Sequence, residues 1–297
     1  MIKALVFALI TIGSVSLANE HKPKQIRIGV VDTGFSLETN TLNAPICDSG
    51  SRDFTKEKPE DENPFVDRDG HGSHIVGLIH QQAAGIVLGS DSKNFKEKAQ
   101  KLANLKPTEY CFVIFKIFDG KANEEARGEA YSSFLKHVLD SDIDLLNMSI
   151  HGTEYSYQED ITILTLTKVK GVQVIVAGGN EASVVSKKEN LGGYPASHSS
   201  GQITVGSYID PGDGGPEFWN QKEQTRYIKN IALTSNRGPG IDVWMPGVDQ
   251  ISLSIEKNKL SIKSGTSMAA ARYTGFLVHK KIEEKKKDEK LSKANSK

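Results

Sequence analysis

The sequence has no excess of charge of either sign, almost no cysteine, and only a short apolar run at its start. Lys+Arg and Asp+Glu each number 37 among 297 residues, so no global field draws the molecule to nucleic acid or to a membrane surface. Its partner has to be read from a site. Two cysteines without a matching histidine spacing are no zinc pattern and permit one disulfide at most. The apolar stretch at residues 4–10 is too short to span a bilayer, and no cysteine follows it to carry a lipid.

With 37% hydrophobic and 25% charged residues, the chain can bury a sizeable core in one or two domains. Lys3, the apolar residues 4–10, and then Ser16 and Ala18 at the two cleavage-determining positions read as a signal peptide, residues 1–18, cut after Ala18. An uncleaved anchor is the alternative, opposed by the short apolar length and by the polar Asn19-Glu20-His21-Lys22 that follows. Either reading puts the rest of the chain outside the cytoplasm, secreted or periplasmic. An oxidising compartment permits Cys47 and Cys111 to pair; two separate buried thiols are the competing reading.

Strand-like runs at 26–31, 112–118, 145–150, 172–177 and 203–207 are rich in β-branched residues and bounded by Gly, Asp or Asn. Several are apolar on both faces, as buried parallel strands are. Helical stretches lie between them at 74–82, 129–139 and 160–170, and another begins at Ser267. The alternation predicts an α/β fold, a doubly wound, mostly parallel sheet with helices on both faces and functional residues at strand ends and helix starts. Residues 90–106, polar and Lys-rich, and 210–229, with Pro211-Gly212-Asp213-Gly214-Gly215-Pro216, read as surface insertions or flexible loops. Residues 280–297 mix Lys with Glu and read as a solvated extension of the last helix, not as a membrane- or nucleic-acid-binding tail.

Three segments carry chemistry: Val30-Val31-Asp32-Thr33-Gly34, His71-Gly72-Ser73-His74 and Gly265-Thr266-Ser267-Met268. A serine hydroxyl is a poor nucleophile unless a histidine takes its proton and a carboxylate holds that histidine in one tautomer. Taken singly, each residue has a plainer role: Asp32 in a turn after a buried strand, His71 as a capping or core histidine, Ser267 as an N-cap. His74, one helical turn on, suits a structural role better than His71. The chain order Asp, His, Ser is the subtilisin one. Asn147-Met148-Ser149, Val176-Ala177-Gly178-Gly179-Asn180-Glu181, Gly193-Tyr194-Pro195-Ala196 and Met245-Pro246-Gly247 also match family blocks in the family's order, from about residue 26 to about 278. On these residues the chain resembles the subtilisin-like serine peptidases, the subtilases.

The resemblance implies a peptidase domain over 19–279 with catalytic Asp32, His71 and Ser267, working through an acyl-enzyme without cofactor or metal. It implies an oxyanion hole from the Asn180 side-chain amide and the Ser267 backbone N–H. A protein or peptide substrate would lie extended along Ser149, Ile150, His151 and Gly152, with Ala177, Gly178 and Gly179 as the wall of the primary specificity pocket. The family's strand order makes a Cys47–Cys111 disulfide an expectation.

Four departures stand out. His151 replaces a glycine, which sets a bulky, titratable side chain at the pocket mouth, filling it or lining its rim, unless a reshaped Gly152-Thr153 loop turns it to solvent. Ala271 replaces a proline, a change neutral for chemistry because alanine restores a backbone donor and favours the helix. The stretch before the first strand is too short for an inhibitory, fold-assisting propeptide, so the mature chain either folds unaided or needs a separate inhibitor or chaperone in trans. His80-Gln81-Gln82-Ala83-Ala84 stands in for the calcium-binding loop, so no family-type calcium site is expected. The expected function is an exported serine endopeptidase with no nucleic-acid or stable membrane partner. The alternatives are a catalytically impaired peptide-binding homologue and a narrow-specificity processing peptidase.

Overall fold

The computed structural model describes residues 25–56, 62–89, 94–120, 124–210, 217–218 and 230–295. The signal-peptide reading and most of the 210–229 loop reading lie outside the described residues. In chain order the elements are β1 (Ile26–Asp32), β2 (Arg52–Asp53), α1 (His71–Ala83), α2 (Phe95–Ala103), β3 (Tyr110–Lys116), α3 (Glu124–Val138), β4 (Leu145–Met148), α4 (Tyr157–Lys168), β5 (Gln173–Ala177), β6 (Ile203–Tyr208), β7 (Glu217–Phe218), β8 (Val243–Pro246), β9 (Gln250–Leu253), β10 (Leu260–Lys263) and α5 (Thr266–Asn295).

The main sheet runs β2-β3-β1-β4-β5-β6-β8-β7. Its pairings are parallel apart from β7 with β8. Strands β3 and β4 are buried along their whole length, as near-continuous apolar strands must be when both faces are covered. Alternation along β1 divides the core. Ile28 and Val30 pack with Ile75, Val76, Leu78 and Ile79 of α1 and Met268–Ala271 of α5. Val31 packs with Phe134, Leu135 and Val138 of α3 and Ile163 and Leu166 of α4 on the opposite face. Helices α1 and α5 cross so closely that a Cβ on Gly275 would lie 2.5 Å from the Ile79 carbonyl oxygen.

The order reverses at β1, because the chain pairs β3 on one side of it and then β4 on the other. Such a reversal opens a crevice beyond the carboxyl ends of the strands, where Asp32 ends β1 and Ala177 ends β5. The opposite edge carries the disulfide: Cys111, level with Arg27 near the start of β1, is bonded to Cys47, Cα atoms 5.0 Å apart.

Several boundaries differ from the sequence reading. Residues 90–106 were expected as loop, yet contain α2, because Phe95, Ala99 and Leu102, at i, i+4 and i+7, pack on the core beneath the lysines. Strand β3 spans Tyr110–Lys116 in place of 112–118. Strand β4 stops at Met148, not residue 150, and releases Ser149, Ile150 and His151 from the sheet. Helix α1 starts three residues earlier than expected, at His71 itself. Helix α5 continues unbroken through Lys280 to Asn295.

Candidate active site

Asp32 and His71 meet because α1 begins against the end of β1. A Cβ on Gly72 would lie 2.1 Å from the Gly34 carbonyl oxygen and 3.2 Å from Asp32 Cβ, so only a glycine lets the helix approach. The His71 Nδ1–H donates to the Asp32 carboxylate, 2.8 Å from Oδ1 and 2.9 Å from Oδ2. An ionised carboxylate accepts only, so this contact puts the proton on Nδ1 and leaves Nε2 free to act as a base. Asp32 is buried, and its Oδ1 also accepts the Thr33 N–H at 2.8 Å. Burial works against a charged His71, but attraction to Asp32 and the hydrogen bond to it together outweigh burial, and the His71 pKa is raised above 6.5.

A second carboxylate fixes this corner. Buried Asp67 accepts from the backbone of Asp69, Gly70 and Ser73 and from the hydroxyls of Thr33 and Ser73, while the Thr33 Oγ1 accepts the Gly72 N–H at 2.9 Å. Asp69 accepts the His71 N–H at 3.1 Å. The orphan donors of the first turn of α1 are thereby satisfied. Sequence reasoning missed Asp67 and Asp69; carboxylates two and four residues ahead of a helix-starting His were the available signal. His74 is fully buried, with Nδ1 3.0 Å from Ser261 Oγ, and burial, then Lys263 and His71, lower its pKa to about 3. It is a core histidine.

Ser267 is the second residue of α5. The Ser149 hydroxyl donates to its carbonyl oxygen at 2.9 Å, the Asn147 amide donates to that hydroxyl at 2.9 Å, and Thr274 Oγ1 donates to Asn147 Oδ1 at 2.9 Å. These bonds tie the start of α5 to the end of β4. The Ser267 hydroxyl itself donates to the Ser149 carbonyl oxygen at 3.3 Å, and among the described residues no hydrogen bond joins it to His71. The carboxylate–imidazole half of the arrangement is formed, and the imidazole–hydroxyl half is open. Such contacts commonly tighten only with substrate bound.

Asn180 follows β5 and is exposed. Its Oδ1 accepts the Thr266 N–H at 2.9 Å and the Thr266 hydroxyl at 3.2 Å, and the Thr266 Oγ1 accepts the Gly179 N–H at 3.0 Å. With the oxygen held from that side, the Asn180 NH₂ is turned outward beside the start of α5. The segment that follows β5 approaches the one that follows β4: a Cβ on Gly179 would lie 3.0 Å from His151 Cε1. Gly152 pairs with Tyr194 in an antiparallel bridge. Asn236, fully buried, braces the first segment: its Nδ2 donates to the Gly178 carbonyl at 3.0 Å and to Glu181 Oε2 at 2.8 Å, and its Oδ1 accepts the Glu181 and Ser183 N–H groups. Nothing local in the sequence marks Asn236, since its side-chain partners lie more than forty residues away.

A profile of the subtilase family matches residues 23–294. The chain is 27% identical over 272 residues to a major intracellular serine protease of Bacillus subtilis (strain 168), covering 91% of this chain and 73% of that protein. It is 25% identical over 251 residues to subtilisin amylosacchariticus of Bacillus subtilis subsp. amylosacchariticus, covering 84% of this chain and 54% of that one. Its fold is similar to the crystal structure of a cold adapted subtilisin-like serine proteinase, with TM-score 0.56 and 20% identity over 84% of this chain and 72% of that chain.

Proposed function

The chain belongs to the subtilase family, and we therefore propose that it is an exported serine endopeptidase that cuts peptide bonds with Asp32, His71 and Ser267. The observation that carries this reading is the His71 Nδ1 contact to both Asp32 oxygens where α1 begins against the end of β1. Rotation of the Ser267 hydroxyl away from the Ser149 carbonyl turns it toward His71 Nε2. Ser267 Oγ then attacks the substrate carbonyl, and His71 takes its proton and returns it to the leaving amine. Water resolves the acyl-enzyme by the reverse transfers. Asp32 holds the tautomer and stabilises the imidazolium.

Negative charge develops on the carbonyl oxygen. The Asn180 NH₂ and the Ser267 N–H are the donors set for it, with the N-terminus of α5 adding partial positive charge. Losing one such donor costs about 10²–10³ in turnover. Substrate pairs as an extended strand with the segment that leaves β4, so affinity comes largely from backbone contacts. Export is supported by the bonded Cys47–Cys111 pair and by the N-terminal sequence pattern, while relatives of the family include an intracellular protease.

The open Ser267–His71 contact favours a second reading, a homologue that binds peptides without cutting them. A fluorophosphonate probe separates the two. Folded residues 19–297 are expected to take the label at Ser267, to lose it in Ser267→Ala and to label far more slowly in His71→Ala. Folded wild type that takes no label overturns the enzyme reading.

A further inference from the structure

The residues that leave β4 present an exposed backbone at His151, yet the side chain of His151 is only 21% exposed. The imidazole is turned inward. A Cβ on Gly193 would lie 2.2 Å from His151 Cε1 and 2.5 Å from Nε2, and one on Gly179 3.0 Å from Cε1. The ring thus occupies the space between these two glycines, the space that a side chain entering between the Ala177–Gly179 wall and the Ser149–Gly152 wall would need. Both glycines have left-handed φ angles, +97° for Gly179 and +82° for Gly193, so the close approach is built into the backbone on both sides.

A carboxylate also stands beside the ring. Its Nε2 lies 3.5 Å from Glu181 Oε2, and Glu181 is fixed in turn by the Asn236 amide at 2.8 Å and, through its own N–H, by Asn236 Oδ1 at 3.0 Å. Asn236 binds Gly178 as well, so one buried side chain positions both the pocket wall and the residue that latches the imidazole. Swinging His151 out would forfeit the Glu181 contact and expose the glycine pair. Negative Glu181 beside the ring also removes any advantage for an acidic substrate side chain.

We propose that His151, latched by Glu181, is a specificity-determining residue that fills the primary pocket, so that the enzyme cuts after glycine, alanine or serine and excludes large side chains at that position. The inference rests on the protease reading above and adds its substrate class. Forcing a larger side chain into a filled site displaces packed groups, and even one methylene in a pocket changes selectivity by about 10–200-fold.

The test compares wild type with His151→Gly and His151→Ala on a peptide library varied at the cleaved position, with rates expressed per fluorophosphonate-labelled active site. Wild type is expected to lose about 100-fold in kcat/KM from alanine to phenylalanine. Either variant should raise the phenylalanine-to-alanine and leucine-to-alanine ratios of kcat/KM at least about tenfold above those of wild type. Labelled wild type that cuts after phenylalanine as fast as after alanine overturns the inference, as do two labelled variants with the wild-type profile. Wild type that takes no label overturns the protease reading and this inference with it.

Discussion

Single side chains here act through what they hold. Asp32 does three things to His71 at once: it accepts from Nδ1, attracts the imidazolium, and so raises a pKa that burial alone would lower. The neutral base form of His71 therefore appears only as pH rises above the ordinary value of about 6.5, and kcat/KM should climb through a midpoint above 6.5. Asp32→Asn removes the two largest opposing contributions and leaves burial and Lys263 against the smaller attraction of Asp69. The midpoint should then fall below that of wild type, and kcat should drop by about 10⁴ because the tautomer is no longer enforced. A pH–rate profile of both proteins checks this; an unmoved midpoint would mean that Asp32 does not set the His71 titration. The proposed site residues Asp32, His71, Ser267 and Asn180 could be singled out in the sequence because each lies in a short local motif. Asn236 and Thr266 were not, because each works by bonding backbone far along the chain; Asp67 was overlooked although its backbone partners lie only two to six residues on.

At the scale of elements, the strands were legible where burial on both faces wrote a continuous apolar run, as in β1, β4 and β5. Helix α2 was hidden by its lysines, since only one of its residues is fully buried and charge content overrode a weak i, i+4, i+7 pattern. The hairpin of β9 and β10 was hidden by its exposure: the β10 residues are half-buried or exposed, so no clean alternation marks them. The Cys47–Cys111 bond joins the segment before β2 to the start of β3, closing a separation of 64 residues. Its removal frees that loop in the unfolded chain, and Cys47→Ala with Cys111→Ala should lower unfolding free energy by about 2–4 kcal/mol. Urea unfolding of the two proteins measures the difference. Two reactive thiols in unreduced, denatured wild type would show that no bond forms.

The whole molecule should be sensitive to acid well above the range in which carboxylates titrate. Two histidines of α1 are buried and kept neutral: His74, at about 3, and His80, at about 4, in each case mainly by burial. His80 has both ring nitrogens engaged, Nδ1 at 2.8 Å from the Tyr110 hydroxyl and Nε2 at 2.9 Å from the Leu42 carbonyl. Half-buried His137 is also lowered, by burial and then by Arg52. The unfolded chain binds these protons at about 6.5, and the folded chain does not until far lower pH. Stability is therefore full above about pH 6.5, falls as pH drops toward 4, and levels off below the folded values. Each fully neutral group contributes up to about 1.4 kcal/mol per pH unit in that window. His71 has the opposite sign: its raised pKa adds stability that is complete below about 6.5 and is lost as pH rises through the folded value, so it adds no slope between 6.5 and 4. Asp119, held down at about 2 against its burial by Arg68 and Lys56, loses its contribution only below about 3.8. Urea midpoints between pH 7 and 5 should accordingly fall with an uptake approaching two protons or more on unfolding, and His80→Asn should reduce that uptake by about one, whatever it does to stability at neutral pH. A flat profile in wild type, or an unchanged slope in His80→Asn, would mean that the buried histidines of α1 are protonated in the folded protein.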